Sequence, residues 1–583
     1  MSREKGIYLI LCSLILSYII IRSIHVPLVH DEVATYVHFI VPGEFIPGQS
    51  LVDANNHHLN SLLSVVSYRL FGLNSLGLRL PNVFFFIILA VYTWGFSRRF
   101  KNPLIQWAFI LSIIGSHYLI EFYGLCRGYG IAMACFNAAL YYIHRFADEE
   151  SLGSFLGFLL CTLLCLSASL TFLFPSLILF ALSMYFLMSK KRALVFYLLA
   201  LLGIVLLYSA ISVSLWLKSG GALYYGAEGS FWEKTVGTLS KLLVGENLVS
   251  PYVFTIMALF VLGSTVGSLI RIFDRTVLKK HILHLVFLGS LIGIFLSHYL
   301  MGTHYPEDRV ALYLFPLLIG ALLMSIEERA HISTWIRWTV LILFYFPIHF
   351  LMNMNTSHVD FWFRERIPDT FYQSIEDFEV QTNRPPTVSG YHTTALTYFM
   401  NANLHGYDVP ALLSNGFPNE SADFIITRIN EDSLSFADHQ VVHVDKVSGN
   451  KLWRRVKPLA WKMIDEVSNI QPEHKNEFFE MMRLKVDANS HYIIDVTLDY
   501  QDVMPPSKIH LVMSMKDEQG HDLQYVPYEL HWRRPFPDSP ISTTLYADGS
   551  GEKEDELVVY LWNIQKHLIK DIDYDLKLYR SVD

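Results

Sequence analysis

Charged residues are scarce in this chain. They make up 17% of its 583 residues, while 52% are hydrophobic; ordinary soluble domains carry about 25% charged residues. Most of the chain is therefore expected to lie in lipid. The charges that are present collect after about residue 355, which is typical of a soluble segment. The net charge of −8 and the lack of a basic stripe with interleaved aromatic residues argue against nucleic-acid binding.

Cysteine is equally scarce, and the soluble segment has none. All the cysteines lie within apolar runs: Cys12, Cys126, Cys135, Cys161 and Cys165. This distribution excludes a disulfide framework or a thiolate metal site from the soluble segment.

Long apolar runs predict eleven membrane spans, because 17 to 25 apolar residues are needed to cross about 30 Å of hydrocarbon. Their approximate limits are 7–24, 76–97, 103–120, 127–146, 152–169, 171–188, 193–216, 252–271, 282–300, 309–325 and 335–352. No small-residue cleavage site follows the first run, so we expect an uncleaved span there. The division of the stretch at 152–188 rests only on a few polar residues and one proline. An even number of spans would move the C-terminal segment to the other side of the membrane.

The distribution of basic residues predicts the orientation. The loop at 25–60 has no Lys or Arg, whereas the next loop contains Arg98, Arg99 and Lys101. Because positive residues collect in short cytoplasmic loops, the N-terminus is expected inside and the segment from about 353 outside. The compact loops favour a bacterial inner membrane with a periplasmic C-terminal module.

The soluble segment is predicted to have two parts. Residues 353–457 combine helical stretches, such as 393–401, with short apolar strands, which indicates a small α/β domain. Residues 458–583 show alternating apolar positions at 494–500 and 509–515, which predict a β-sandwich. The fold class is thus a polytopic α-helical membrane domain, residues 1–352, with an extracytoplasmic α/β plus β-sandwich module.

The first outer loop has acids at one end and polar residues at the other. His30, Asp31 and Glu32 follow the first span, and Asn56 and His57 close the loop. Adjacent carboxylates at a membrane surface can supply a general base or ligate a divalent cation. The alternative is a solvated pair of loop acids.

Two further segments at the outer ends of spans carry candidate residues. Glu121, Arg127 and Tyr129 lie at the outer ends of the third and fourth spans, and the segment with Tyr305 and Arg309 runs directly into the tenth. An ionisable group at that depth usually faces a cavity or a partner, and the planar donor fork of arginine suits a phosphate. The alternative for each arginine is a side chain that extends from a helix end to the interface.

Four stretches together resemble the GT-C superfamily of polyprenol-dependent glycosyltransferases, in its protein O-mannosyltransferase and lipid A aminoarabinose transferase branch (glycosyltransferase family 39-like). They are HDEVATY at 30–36, NNHHLNSLLSVVSYRLFGLNSLGLRLPNVFF at 55–85, EFYGLCRGYG at 121–130 and DRVALYLFP at 308–316. With the pattern of spans, the similarity covers about residues 5–350. It implies a GT-C type fold and transfer of a sugar from a polyprenyl-phosphate donor, such as an undecaprenyl phosphate sugar, to a protein, lipid or polysaccharide acceptor.

The resemblance also implies roles for residues. Asp31, beside Glu32, matches the catalytic acid of the first loop. Arg127 and Arg309 match basic positions that hold the lipid phosphate, and we place Tyr305 with them. The remaining candidates are assigned to the acceptor or sugar pocket: His30, Asn56, His57, Glu121 and Tyr129.

The sequence departs from the family pattern at two places. His58 and Leu59 stand where prolines commonly follow the histidine, and Val310 replaces the tyrosine usual after the second arginine. Because of these departures, the resemblance does not predict the backbone conformation after His57 or the complete set of phosphate-binding residues.

Three questions stay open at this stage. A divalent metal near Asp31, Glu32 and His57 is one prediction, although that spacing is not a metal motif. A transporter or flippase of a lipid-linked sugar is the alternative function, but such proteins often show internal repeats, which this sequence lacks. A membrane-anchored recognition protein, whose β-sandwich binds a glycan or a partner, is the third.

Overall fold

The computed structural model divides into two compact units. It describes residues 3–188, 193–222, 229–245, 248–269, 274–330, 334–382, 384–413, 419–428, 434–502, 509–517, 519–530, 540–549 and 554–582. The helical unit consists of Met1–Val26, Glu44–Gly72 and Leu76–Ser357. The mixed unit consists of Pro27–Gly43, Leu73–Ser75 and His358–Asp583. The acid-bearing part of the first loop, Pro27–Gly43, thus belongs with the C-terminal module, and we call it the acidic segment.

Helices make up nearly all of the helical unit, and three more occur in the mixed unit. In chain order they are α1 (Arg3–His25), α2 (His30–Thr35), α3 (His58–Phe71), α4 (Ser75–Ser97), α5 (Pro103–Ile114), α6 (His117–Glu121), α7 (Gly128–Glu149), α8 (Leu152–Ala168), α9 (Leu173–Met188), α10 (Leu194–Ser219), α11 (Thr238–Val244), α12 (Ser250–Leu269), α13 (Arg275–Lys280), α14 (Ile282–Met301), α15 (Leu314–Ala330), α16 (Tyr345–Asn353), α17 (Asp369–Thr382) and α18 (His392–His405).

The helices confirm a multi-pass membrane protein. Among the described residues, six helical segments are long and apolar enough to cross a membrane: Arg3–His25, Ser75–Ser97, Leu170–Met188, Leu194–Ser219, Ile282–Met301 and Trp335–Asn353. The pair Pro103–Ile114 and His117–Gly124, bent by 51°, adds a seventh if it forms one span. Every predicted span contains a described helix. The count of eleven stays a prediction.

Small residues explain the close packing of α7 against α8. The inner part of α7 is rich in alanine, and Ala132, Ala134, Ala138 and Ala139 are all buried. Without long side chains between them, two helices can approach closely in a membrane. This packing fixes the first residue of α7 next to the last turn of α8, where candidate site residues lie.

The mixed unit contains twelve described strands. They are β1 (Val388–Gly390), β2 (Phe424–Thr427), β3 (His439–Val444), β4 (Lys451–Arg455), β5 (Ala460–His474), β6 (Phe478–Asp487), β7 (His491–Asp502), β8 (Ile509–Lys516), β9 (Asp522–Glu529), β10 (Ile541–Asp548), β11 (Glu554–Asn563) and β12 (Ile569–Val582). The first four form a sheet in the order β1-β2-β4-β3, in which α18 connects the parallel pair β1 and β2. Phe371, Phe424 and Ile426 belong to the core of this α/β part.

The last eight strands form a sandwich of two four-stranded antiparallel sheets, β10-β7-β12-β5 and β6-β11-β8-β9. Alternate residues of both sheets enter one core, as period-two patterning requires. The predicted core positions Ile494, Val496 and Leu498 of β7 and Leu511 and Met513 of β8 all lie in it. The predicted sheet-rich C-terminal module is therefore confirmed.

Candidate active site

The acidic segment folds into α2, which begins directly after the extended residue Val29. The N–H of Val29 donates to Oε2 of Glu32 at 3.1 Å, and the N–H of Glu32 donates to the carbonyl oxygen of Val29 at 2.9 Å. Glu32 is fully buried and caps its own helix. Asp31, the neighbouring acid, is half-buried. The two carboxylates therefore differ: Glu32 holds the backbone, and Asp31 is the better candidate for chemistry.

Residues of the C-terminal module hold the backbone immediately before Asp31. The N–H of Leu28 donates to Oδ1 of Asn401 at 2.8 Å, and Nδ2 of Asn401 donates to the carbonyl oxygen of Leu28 at 2.9 Å. The N–H of His30 donates to Oε2 of Glu365 at 2.6 Å. Asn401 lies on α18, which packs against α2. Three hydrogen bonds thus fix the segment that leads into Asp31.

Glu365 is a titratable group that the sequence reasoning missed. Burial raises the pKa of its carboxyl group to about 7, and the negative charges of Asp31 and Glu32 act in the same direction. The N–H of His30 and the positive charge of Arg428 oppose this rise in pKa. A raised pKa in such a cluster is typical of functional sites. Glu365 stands in the sequence between two arginines, as in an ordinary solvated loop, so no local pattern indicated it.

In the helical unit, the structure brings together His57, Arg127 and Tyr129. Nδ1 of His57 lies 2.8 Å from the carbonyl oxygen of Ala168, at the end of α8. The rings of His57 and Tyr129 meet edge to face, with centroids 4.9 Å apart. The guanidinium carbon of Arg127 lies 5.8 Å from the centroid of the Tyr129 ring, within cation–π range. His57 and Arg127 are 5% and 2% exposed, so both lie inside the protein.

We call the contacts among His57, Arg127 and Tyr129 the His57–Arg127 junction. Glycine at position 128 makes this junction possible. A Cβ atom there would lie 2.0 Å from the carbonyl oxygen of Ala168 and 2.7 Å from side-chain atoms of His57. The GLCRGYG stretch thus provides a residue without a side chain where three chain segments converge. Arg127 directly precedes this glycine as the N-cap of α7. A guanidinium group at the N-terminus of a 22-residue helix is well suited to attract an anion.

Glu121 is engaged in an ion pair. It contacts Arg22 of α1, and both side chains are 4% exposed. Nε2 of His117 lies 3.8 Å from the same carboxylate. Arg22 also donates to the carbonyl oxygen of Asn355 at 2.7 Å. These contacts give Glu121 a structural role that joins α1 to α6, and its assignment to a sugar pocket stays a prediction.

The side chains of Asn56 and Arg79 donate hydrogen bonds to backbone carbonyl groups. Nδ2 of Asn56 donates to the carbonyl oxygen of Phe45 at 3.1 Å within the first outer loop. Arg79, from the RLP stretch, is fully buried and donates to the carbonyl oxygens of Val26 at 2.7 Å and Ser23 at 3.3 Å. Because the last carbonyl groups of a helix lack helical partners, this arginine stabilises the end of α1. Its role was not predicted from the sequence.

Arg309 lies in a tight turn at Asp308–Ala311 and is 7% exposed. The turn begins with Asp308 in a left-handed conformation, φ 46°, and the N–H of Asp308 donates to Oγ1 of Thr238 at 2.9 Å. Helix α11, which begins with Thr238, packs against this turn and against α6. Tyr305 stacks on His298 with ring centroids 4.0 Å apart. Its ring is thus part of an aromatic cluster, and contact of Tyr305 with a phosphate stays a prediction.

An apolar cavity of about 260 Å³ opens in the helical unit among α8, α9 and α10. Most of its lining is aliphatic, and His58 and Pro47 of the first outer loop complete it. The lining residues are Pro47, His58, Leu159, Thr162, Leu163, Leu166, Ser167, Leu170, Phe180, Gly203, Leu206, Leu207, Ser209, Ala210 and Val213. His58 follows His57 directly, so the cavity and the His57–Arg127 junction are joined by consecutive residues.

The predicted metal ligands already have protein contacts. Oε2 of Glu32 accepts the N–H of Val29, and Nδ1 of His57 lies against the carbonyl oxygen of Ala168. Asp31 and Glu32 lie in the mixed unit and His57 lies in the helical unit, and metal binding by these residues stays a prediction.

No protein-family model matches the chain, and no curated protein matches it in sequence. Solved structures do match. ArnT from Cupriavidus metallidurans in the apo state matches with a TM-score of 0.40 and 12% identity, over 78% of this chain and 98% of that chain. The same protein bound to undecaprenyl phosphate gives 0.41 and 11%, over 77% and 98%. The arabinofuranosyltransferase AftD from Mycobacteria gives 0.38 and 7%, over 100% of this chain and 60% of that chain.

TM-scores near 0.4 are too low to assign site residues or an activity to this chain. Those assignments depend on the contacts within each unit.

Proposed function

We propose that the protein is a membrane glycosyltransferase that moves a sugar from a polyprenyl-phosphate donor to an acceptor. One observation carries this proposal: a buried cationic junction and an apolar cavity meet at His57 and His58. Arg127, at the N-terminus of α7, can attract a phosphate, and His57 contacts Tyr129 beside it. His58 lines the cavity among α8, α9 and α10. An anionic headgroup next to an apolar slot is the arrangement that a lipid phosphate requires.

The proposed reaction is a direct displacement at the anomeric carbon. The bond between that carbon and the phosphate oxygen breaks while the acceptor oxygen or nitrogen forms the new bond, so the configuration inverts. Arg127 and Arg309 stabilise the departing phosphate electrostatically, a contribution worth several kcal/mol, roughly, in other enzymes. Asp31 takes the acceptor proton, and general-base catalysis typically supplies about 10² to 10⁴-fold. The phosphate-linked donor provides the free energy, so the reaction needs no nucleotide.

The hydrogen bonds around Asp31 support its role. A general base must be held in place, and the N–H groups of Leu28 and His30 are bound by Asn401 and Glu365. Positioning contributes strongly to catalysis, because small displacements of a catalytic group slow the reaction. We therefore assign Asp31 as the base, with Glu32 as the residue that shapes its helix.

The finer parts of the proposal follow from the sequence. The absence of basic residues from the first outer loop supports a periplasmic C-terminal module in a bacterial inner membrane. The acceptor is a protein, a lipid or a polysaccharide. Undecaprenyl phosphate is the donor lipid that this location implies.

A reconstituted assay tests the proposal. Full-length protein in lipid vesicles is supplied with undecaprenyl phosphate carrying a radiolabelled sugar, from a set of hexoses and pentoses, and with envelope extract as acceptor. We expect labelled product and free undecaprenyl phosphate from the wild type. Asp31→Asn should lose at least about 100-fold in turnover, with unchanged membrane insertion. Glu44→Gln, at another acid of the first outer loop, is the matched control and should retain activity.

Two outcomes would contradict these assignments. Near-normal turnover by Asp31→Asn would remove Asp31 from the base role. Movement of the intact labelled lipid between leaflets without cleavage would favour a flippase. For Arg309→Ala we expect a higher KM for the lipid donor, and an unchanged donor dependence would indicate an anchoring role for Arg309.

A further inference from the structure

The two sheets of the β-sandwich present different outer faces. On the sheet β10-β7-β12-β5, the outward residues Ile493 and Tyr546 pack against Leu413 and Ala422 of the α/β part. The other sheet, β6-β11-β8-β9, carries five aromatic residues on its outer side. We call them the aromatic face: Phe478, His510, Tyr525, Tyr560 and Trp562.

Strand register joins these rings into one band. Trp562 of β11 is directly opposite Phe478 of β6 and His510 of β8. Ring centroids are 6.3 Å apart for Phe478 and Trp562, whose planes differ by 14°. They are 5.8 Å apart for Phe478 and Tyr560, and 5.6 Å for His510 and Trp562. Tyr525 of β9 lies close enough to Tyr560 to contribute to the raised pKa of the Tyr560 hydroxyl group, which extends the band to β9.

The two ends of the band are exposed. Phe478 is 55% and Tyr525 is 44% exposed, while Tyr560 and Trp562 are partly exposed. Cross-strand aromatic pairs stabilise a sheet, but that role does not require half of a phenylalanine ring to face solvent. A contiguous exposed apolar patch with a polar rim marks a binding surface. Its length across four strands is about 14 Å, which suits a short chain of sugar rings.

Charges around the band are balanced. Arg483 contacts both Glu480 and Glu556, at 2.8 Å in each case. Lys566 pairs with Glu477 at 3.0 Å. Anionic membranes and nucleic acids are bound by surfaces with an excess of Lys and Arg. Among the described residues the rim has no such excess, so it fits an uncharged ligand better than either of these.

We propose that the aromatic face binds a neutral oligosaccharide chain. The C–H faces of sugar rings pack on the aromatic rings, and the carboxylates and guanidinium group of the rim hydrogen-bond to hydroxyl groups. This binding does not depend on the transfer reaction, because every residue involved lies in the β-sandwich. A glycan acceptor and a finished polysaccharide present the same chemistry to this surface.

Binding to defined oligosaccharides tests the inference. Full-length protein, in a detergent without a sugar headgroup, is titrated calorimetrically with hexaoses of glucose, mannose and N-acetylglucosamine at millimolar concentration. We expect at least one hexaose to bind, and more tightly than its disaccharide. Trp562→Ala and Phe478→Ala should each weaken binding by up to about tenfold, and Trp562→Phe should restore most of it. Ile470→Ala, at a residue of β5 that is 69% exposed, is the control and should bind normally.

Each remaining outcome overturns the inference. No binding by any hexaose, or binding unchanged in both Trp562→Ala and Phe478→Ala, would exclude a glycan site on this face. Binding of anionic vesicles or of a protein from envelope extract, lost in Trp562→Ala without hexaose binding, would assign the surface to that partner. Thermal unfolding of each variant shows whether the substitution has impaired folding. Where Trp562→Ala is unstable, hexaose binding by Trp562→Phe decides whether the aromatic ring contributes to the site. Because no donor lipid is present, the result is separate from that of the transfer assay.

Discussion

Two groups of buried charges, one in each unit, are arranged differently. In the helical unit, Arg22 and Glu121 neutralise each other, and Arg79 donates to carbonyl oxygens at the end of α1. In the mixed unit, Glu365 lies within electrostatic range of two other acids, Asp31 and Glu32, and of one arginine, Arg428. The first arrangement pairs opposite charges. The second gathers like charges, and their repulsion contributes to the raised pKa of Glu365.

The paired charges have a structural role, and the clustered acids have the features of a functional site. A compensated pair in a helical membrane protein joins two helices without leaving a net charge in an apolar environment. A cluster of carboxylates persists only where the surrounding structure enforces it, and such clusters are typical of catalytic sites. We therefore expect substitutions in the Arg22–Glu121 pair to affect mainly stability, and substitutions around Asp31 to affect mainly pH dependence and turnover.

The largest effect is expected for Arg22→Met. Removal of Arg22 breaks the ion pair of a buried carboxylate, and the loss of one partner of a buried pair costs about 3–5 kcal/mol. Thermal denaturation in detergent should show a large loss of stability, and the double variant with Glu121→Leu should recover much of it. The exposed pair of Arg98 and Glu4, 3.7 Å apart, provides the control. Arg98→Met should change stability by less than about 1 kcal/mol, and an equal effect of the two single variants would contradict the comparison.

Glu365 should give a smaller and pH-dependent effect. Its pKa rises from 4.5 to about 7 in the folded protein, so the folded state holds this proton more tightly than the unfolded state. The stabilisation is complete below about pH 4.5, falls as the pH rises towards 7, and is lost above 7. The total change is at most about 3 kcal/mol. Glu365→Gln keeps an oxygen for the His30 N–H and removes the titration.

The test is the midpoint of thermal unfolding between pH 4.5 and 8. In this range, the wild type should lose stability relative to Glu365→Gln as the pH increases. Glu379→Gln, on the exposed side of α17, should follow the wild type. Parallel profiles for wild type and Glu365→Gln would show that the carboxyl of Glu365 does not titrate in this range.

The sequence predicted the periodic parts of this fold well, because they follow from local patterning. Alternation at 494–500 and 509–515 placed the core residues of β7 and β8, and the helical stretch at 393–401 lies within α18. The sequence could not show that Pro27–Gly43 forms one compact unit with the C-terminal module. That association depends on contacts between residues more than 300 positions apart.

The dependence on contacts between distant residues also limited the prediction of the candidate site. Asp31, His57 and Arg127 were selected from their position at the ends of apolar runs. Glu365, Asn401 and the Arg22–Glu121 pair were not predicted, because each acts through a partner distant in sequence. The capping role of Glu32, which accepts the N–H of Val29, was not predicted either.

Asn401→Ala should have the smallest effect on stability and a specific effect on turnover. The substitution removes both hydrogen bonds to Leu28, each worth about 0.5–1.5 kcal/mol. The amide of Leu28 should then exchange its hydrogen faster. If Asn401 positions Asp31, kcat should fall while KM for the lipid donor stays unchanged, because the lipid phosphate is assigned to Arg127 and Arg309.

Asn403→Ala provides the matched control on the same helix. Nδ2 of Asn403 donates to the carbonyl oxygen of Phe399, so its hydrogen bond stays within α18. It should leave both exchange at Leu28 and kcat unchanged. A rise in KM with constant kcat in Asn401→Ala would mean that the acidic segment contributes to donor binding rather than to proton transfer. Among the clustered acids of the mixed unit, Glu365 alone would then remain as a candidate for proton transfer.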